Sequence, residues 1–200
     1  MLDWLSGNNI PQFWKNYISL FDNDANKSAQ RYVVFDMETT GTDFREDVII
    51  AIGGLAVTDN KIIIGDFLEI AAKQDKVKTQ LIATQQRLKN NEDEEYVEVE
   101  VLIQLLNFIK DATLVSHNIN LDVEMINQAL KRLDLGRLKN QVMDINVLYQ
   151  KWKDLPDDYE ATLDEMCRAL KINNSERHTA SGNAYTMAVI FLKLKRKLGL

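Results

Sequence analysis

Residues 48–70 hold two strand-like runs, Val48-Ile-Ile-Ala-Ile-Gly-Gly-Leu-Ala-Val57 and Lys61-Ile-Ile-Ile-Gly-Asp-Phe-Leu-Glu-Ile70, parted only by Thr58-Asp59-Asn60. A link that short leaves two apolar runs no arrangement except an antiparallel hairpin. Ahead of them Arg31-Tyr-Val-Val-Phe35, rich in β-branched and aromatic residues, reads as a buried strand with Asp36 at its C-terminal end. Three strands on short connections, followed by helices and strands in alternation, imply an α/β fold: a mixed five-stranded sheet flanked by helices.

The later segments complete that count. Residues 71–95 are polar and partly helical, and the acidic stretch Asn90-Asn-Glu-Asp-Glu-Glu95 reads as a solvated loop. Tyr96–Val101 alternates like a strand, but Val99, Leu102, Leu106 and Ile109 recur at helical spacing, which favours a helix. Ala112–Ser116 is a fourth strand. A helix from about Leu121 carries Met125, Ile126, Ala129 and Leu130 as its apolar stripe, and Asp122 lies one turn before Ile126 on the same face. A carboxylate aimed inward requires a partner. Gln141–Ile145 is a short fifth strand, followed by a polar loop through Pro156. Thr162 with Glu165 has the pattern of a capping box, opening a helix with Leu163, Met166, Cys167 and Leu170. The last helix runs from about Thr179 to Lys197. Residues 1–29 read as a helical extension, with Pro11 in a first turn and Phe13, Trp14, Tyr17, Ile18, Leu20 and Phe21 at helical spacing; residues 30–200 form the domain proper. That helix either packs on the domain or docks a partner.

Composition narrows the function classes. A hydrophobic share of 46% with 27% charged residues in 200 is that of a globular chain with a sizeable core. The single cysteine, Cys167, forms no internal disulfide, and no secretion signal or membrane-spanning run is evident, so a cytoplasmic location is expected. A net charge of −6 argues against coating nucleic acid through a global basic field, while leaving open local neutralisation of phosphate by metal ions.

Three clusters carry the chemistry: Asp36-Met-Glu38-Thr39-Thr40-Gly41, His117-Asn118-Ile-Asn-Leu-Asp122 and His178-Thr-Ala-Ser-Gly-Asn183-Ala184. Each alone has a plain reading. Asp-x-Glu is common at strand ends, His117-Asn118 suits a helix cap, and His178 suits a helix start. Together they supply hard oxygen donors from distant parts of the chain and the only two histidines, which is what metal-assisted phosphodiester hydrolysis needs.

In these motifs the chain resembles the DEDDh family of 3′-to-5′ exonucleases, and is similar to the proofreading (epsilon) subunits of bacterial DNA polymerase III. Asp36–Gly41 matches D-x-E-T-T-G, His117–Asp122 matches H-N-x-x-x-D, and His178–Ala184 matches H-x-A-x-x-D-A save for Asn183. The resemblance covers residues 31–198 and implies a ribonuclease H-like fold, two divalent ions (Mg²⁺ or Mn²⁺) and stepwise release of nucleoside monophosphates from DNA 3′ ends. It implies that Asp36, Glu38, Asp122 and Asn183 hold the metals and that His178 takes the proton from the attacking water. Thr39, Thr40, Gly41, His117 and Asn118 would meet the terminal nucleotide. The implied partners are single-stranded or frayed 3′ ends, with RNA not excluded, and a polymerase or repair complex; no membrane is involved. Asn183 stands where the family has its fourth acid, which weakens the metal set and implies impaired activity. The alternative is a non-catalytic module that binds 3′ ends or joins a polymerase.

Overall fold

The computed structural model describes residues 10–22, 30–71, 92–173 and 179–200. In chain order the elements are α1 (Gln12–Ser19), β1 (Tyr32–Thr39), β2 (Ile49–Thr58), β3 (Lys61–Ala71), α2 (Glu92–Ile109), β4 (Thr113–Ser116), α3 (Ile119–Arg132), β5 (Val142–Asp144), α4 (Ile145–Lys153), α5 (Leu163–Leu170) and α6 (Ala180–Leu198). The sheet has five strands in the order β3-β2-β1-β4-β5. Its β1–β2 and β2–β3 pairs are antiparallel, and β1–β4 and β4–β5 are parallel, so the sheet is mixed as expected. Asp59 and Asn60, both at positive φ, close the β2–β3 hairpin; this left-handed pair is the backbone form of a two-residue hairpin turn.

Strand alternation divides the interior into two cores. Val33 and Phe35 of β1 face one side, where α1, α2 and α3 supply Trp14, Tyr17, Leu102, Leu105, Ile109, Ile126 and Leu130. Tyr32 and Val34 face the other, against Ile145, Tyr149, Met166, Met187, Ile190 and Phe191 from α4, α5 and α6. Each fully buried Ile, Leu or Phe contributes roughly 1.5–3 kcal/mol of transfer free energy, so both cores weigh in holding the sheet between helical layers. Asp36 continues the alternation of Tyr32 and Val34 and is thereby turned to the α6 side.

The extension helix α1 is part of the first core. Trp14 and Tyr17 are buried, and the Tyr17 hydroxyl donates to Asn140 Oδ1 at 2.7 Å and accepts from Lys139 N at 2.8 Å. Desolvation raises the Tyr17 pKa to about 12, so the hydroxyl stays a neutral donor. Pro11 is the N-cap, one residue ahead of the first turn, and its carbonyl accepts from Trp14 N and Lys15 N, both at 3.1 Å.

Four local expectations need correction. β1 runs on to Thr39 instead of ending at Asp36, because β2 continues to pair with it through Met37↔Ile52 and Glu38↔Ala51. The acidic residues Glu92–Glu95 are helical, not loop: glutamate is a good helix former and acidic groups suit the positive end of a helix. Residues 72–91 of the polar stretch lie outside the described residues. Residues 145–153 form α4, not the start of a polar loop; Ile145, Leu148 and Tyr149 are buried on one face and Trp152 packs beside them. Only half of the capping box forms. Thr162 Oγ1 accepts from Glu165 N at 3.2 Å, but the Glu165 carboxylate turns to the hydroxyls of Tyr149 and Tyr159 at 3.1 and 3.0 Å.

Candidate active site

The β1–β4 pairing stops at Val34↔Val115, whereas β1–β2 pairing continues, so β1 past Val34 is open on its β4 side. Asp36 lies in that open stretch, at the carboxyl ends of two parallel strands, where sheets of this kind place ligands. Across the ladder its partner is Gly53. A Cβ on Gly53 would fall 2.2 Å from Ser181 N and 2.3 Å from the Ala180 carbonyl carbon, so the first turn of α6 rests directly on the backbone of β2. That turn is set by Thr179, whose hydroxyl accepts from Gly182 N at 3.1 Å and whose carbonyl accepts from Asn183 N at 2.9 Å. The result is a contact between residues 147 apart: Asn183 Nδ2 donates to Asp36 Oδ2 at 2.9 Å.

Asp122 enters from α3. It is half-buried, as its place on the inward face predicts, and its partner is the hydroxyl of buried Ser116, which donates to Asp122 Oδ2 at 2.5 Å. Burial pushes the Asp122 carboxyl up to about 7; the Ser116 hydrogen bond opposes this, and the charges of Asp36 and Asp144 add to it. Burial likewise holds Asp36 above its ordinary range. The Asn183 amide opposes that shift, Glu38 reinforces it, and the Met37 N–H and nearby His117 oppose it. Two neighbouring carboxylates that resist ionisation make a place where a cation is favoured.

The remaining residues of the three motifs fall into two groups. Glu38 shares the Asp36 face of β1 but is exposed, beside a register shift between Glu38 and Thr39. The loop beyond it is internally bonded: the Thr39 hydroxyl donates to Gly41 O at 2.5 Å, and the Thr40 hydroxyl donates to Asp47 Oδ1 at 2.7 Å and accepts from Val48 N at 3.1 Å. His117 sits near Asp36 but anchors its ring elsewhere, with Nε2 donating to Ala161 O at 2.7 Å. Asn118 precedes α3 at φ 64°, a left-handed conformation that asparagine tolerates, and its side chain makes no capping bond. His178 lies outside the described residues.

The side chain that does cap α3 is Asp144, at the end of β5. Its Oδ2 accepts from Ile119 N at 3.0 Å and its Oδ1 accepts from Asn146 N at 2.7 Å, so one carboxylate closes the N-termini of α3 and α4. Ser116 and Asp144 were not among the site residues expected from the motifs. An acid directly after the Val142-Met143 strand and before an apolar period was the signal for Asp144; Ser116 gave none beyond its place before His117.

Among the described residues no three His, Cys, Asp or Glu side chains gather into a group that could hold a metal ion. The donors still fit a divalent ion in kind. Asp36 and Asp122 are hard oxygen donors each held by a single side-chain hydrogen bond, Glu38 is one pleat away, and the Asn183 amide has an oxygen on the carbon that bears the nitrogen facing Asp36.

Residues 33–191 match the profile of a protein family described as exonuclease. The chain is 27% identical over 171 residues to the DNA polymerase III PolC-type of Latilactobacillus sakei, covering 84% of this chain and 12% of that protein. It is 30% identical over 202 residues to the DNA polymerase III PolC-type of Clostridium perfringens, covering 98% and 13%. The chain thus spans about one eighth of the length of these relatives. In fold it is similar to E. coli Exonuclease I in complex with a dA16 oligonucleotide, with a TM-score of 0.63 and 13% identity over 85% of this chain and 42% of that one. Among the described residues no helix is long and apolar enough to cross a membrane.

Proposed function

The chain belongs to the exonuclease family of RNase T and DEDDh type, and from that premise we propose that it is a 3′-to-5′ exonuclease that releases nucleoside monophosphates from single-stranded or frayed DNA ends. The observation that supports this best is the meeting of Asn183 with Asp36 at 2.9 Å, with Asp122 close enough to add its charge, so that all three motifs contribute to one end of the sheet. In this reading Asp36, Glu38, Asp122 and Asn183 would hold the divalent ions. Mg²⁺ or Mn²⁺ bound there would acidify water and neutralise the phosphate. His178 takes the proton from the attacking water, a task suited to an imidazole near its reference pKa of about 6.5. Thr39, Thr40, Gly41, His117 and Asn118 hold the terminal nucleotide. With three carboxylates in place of four, the site binds metal less tightly and works slowly. The PolC-type relatives and the DNA-bound exonuclease fold support a DNA substrate and a role beside a polymerase; the location in this reading is the cytoplasm.

A specific observation favours a second reading. The Asn183 amide nitrogen already compensates Asp36 with a hydrogen bond, as suits a non-catalytic module that binds 3′ ends without metal. A 5′-labelled oligodeoxynucleotide incubated with Mg²⁺, with Mn²⁺ and with chelator separates the two. A ladder that shortens from the 3′ end and vanishes with chelator is expected; binding without shortening in Mn²⁺ would leave the second reading standing.

A further inference from the structure

We propose that a basic cleft between the 41–48 loop and α3 holds the backbone of a single strand of DNA upstream of its 3′ end. The inference rests on the nuclease reading above and extends it to residues outside the three motifs. The cleft, of about 670 Å³, is lined by Phe44, Arg45, Glu124, Gln128, Lys131 and Arg132. Four of these, Glu124, Gln128, Lys131 and Arg132, recur at i, i+4, i+7 and i+8 and so form one face of α3.

Three features suit this cleft to a nucleic-acid strand. The first is continuity with the site. It runs through the opposite wall, the loop that follows Thr40: Arg132 Nη2 donates to Asp47 O at 3.4 Å, while Asp47 Oδ1 accepts the Thr40 hydroxyl. The second is charge. In a chain of net charge −6, three cations line this cleft, and the acid beside them, Glu124, is bound by Arg137 Nη2 at 2.6 Å and by Gln128 Nε2 at 2.8 Å. The nearby Asp47 carboxylate is turned into its own loop by Thr40 and by Asp43 N. The third is Phe44, a half-buried ring on which a base can stack, with the Arg45 guanidinium 6.0 Å from its centroid. From Asp122 to Lys131 the helix rises about 14 Å. That is about four nucleotides at the 3.4 Å spacing of stacked bases. The cleft is therefore placed to grip the strand a few nucleotides back from the scissile end.

Counterion release gives the test. Binding of a fluorescein-labelled oligothymidylate of about sixteen nucleotides is followed by anisotropy across a salt series, for the wild-type chain and for R45A/K131A/R132A. Losing three phosphate contacts should flatten the slope of log affinity against log salt by about 2 and weaken binding at low salt by at least about tenfold. A control pair on the opposite helical layer, K151A/R196A, should leave the slope within about half a unit of wild type. Phe44→Ala should weaken binding without changing the slope, since stacking releases no counterions. An unchanged slope in the triple variant, an equal change in the control pair, or no binding by a folded wild-type chain would each overturn the proposal. Normal binding with no strand degradation would sink the nuclease reading and leave the cleft intact.

Discussion

Two carboxylates at neighbouring strand ends meet different fates. Asp144, at the β5–α4 corner, accepts two backbone N–H groups and closes two helices. Asp122, at the β4–α3 corner, has one hydroxyl for a partner, and burial, opposed by that hydrogen bond and aided by the charges of Asp36 and Asp144, drives it up to about 7. The first corner is a finished structural joint. The second carries desolvation that its one hydrogen bond offsets only in part, which is how a fold can hold a place for a cation at the expense of its own stability.

The largest effect should come from His178. Its replacement by Ala is expected to lower turnover by roughly 10²–10⁴-fold with little change in oligonucleotide affinity. Equal losses of binding and turnover would make it a holding residue and shift weight to the carboxylate corner.

Next is Asp144→Ala. Two caps are lost at once, a cost of about 2–3 kcal/mol, which in a chain of this size lowers the thermal midpoint by roughly 5–10 °C. A melt within about 2 °C of wild type would mean the two corners differ less than their hydrogen bonds suggest.

Asp122→Asn should act in the opposite sense, by an amount that grows over a defined range of pH. The unfolded carboxyl titrates near 3.9, whereas the folded one titrates at about 7. Stability conferred by the folded site's hold on the proton is present in full below about pH 4 and is lost as pH rises through 7, since the folded state binds more protons between these limits. Without metal, the melting temperature of Asp122→Asn relative to wild type should therefore climb by several degrees between about pH 4 and pH 8 and then level off. A flat difference across that range would mean Asp122 titrates as an ordinary carboxyl. Excess Mn²⁺ at pH 8 should stabilise the wild type more than the variant.

The smallest shift is expected for Asn183→Asp. It replaces a donor facing Asp36 with a third acid, so without metal the midpoint should fall slightly; with Mg²⁺ it should rise, and nuclease rate should increase by about tenfold or more. No gain in rate or in Mg²⁺-dependent stability would favour the metal-free binding module.

Much of this was legible in the chain. The hairpin, the alternation of Tyr32 through Asp36 and the Met125–Leu130 stripe dictate the sheet and the inward turn of Asp122 through short-range periodicity. What escaped depends on partners distant in sequence. β1 extends past Asp36 because β2 pairs with it there. Residues 145–153 are amphipathic over barely two turns, and Lys151, Lys153 and Asp154 mask the period. Ser116 meets Asp122, and His117 meets Ala161, through contacts that spacing does not encode. Motif order alone brought Asp36, Asp122 and Asn183 together; it did not tell a capping acid from a partly compensated one.

Gly53 has a wider consequence. Because α6 rests on the bare main chain of β2 at this position, position 183 is aligned with Asp36 by backbone against backbone, whatever side chain it bears. Acid and amide are therefore interchangeable here without rebuilding the scaffold. A lineage can raise or lower its appetite for metal by exchanging one terminal atom of one residue, while any growth at position 53 would set the two halves of the site out of step.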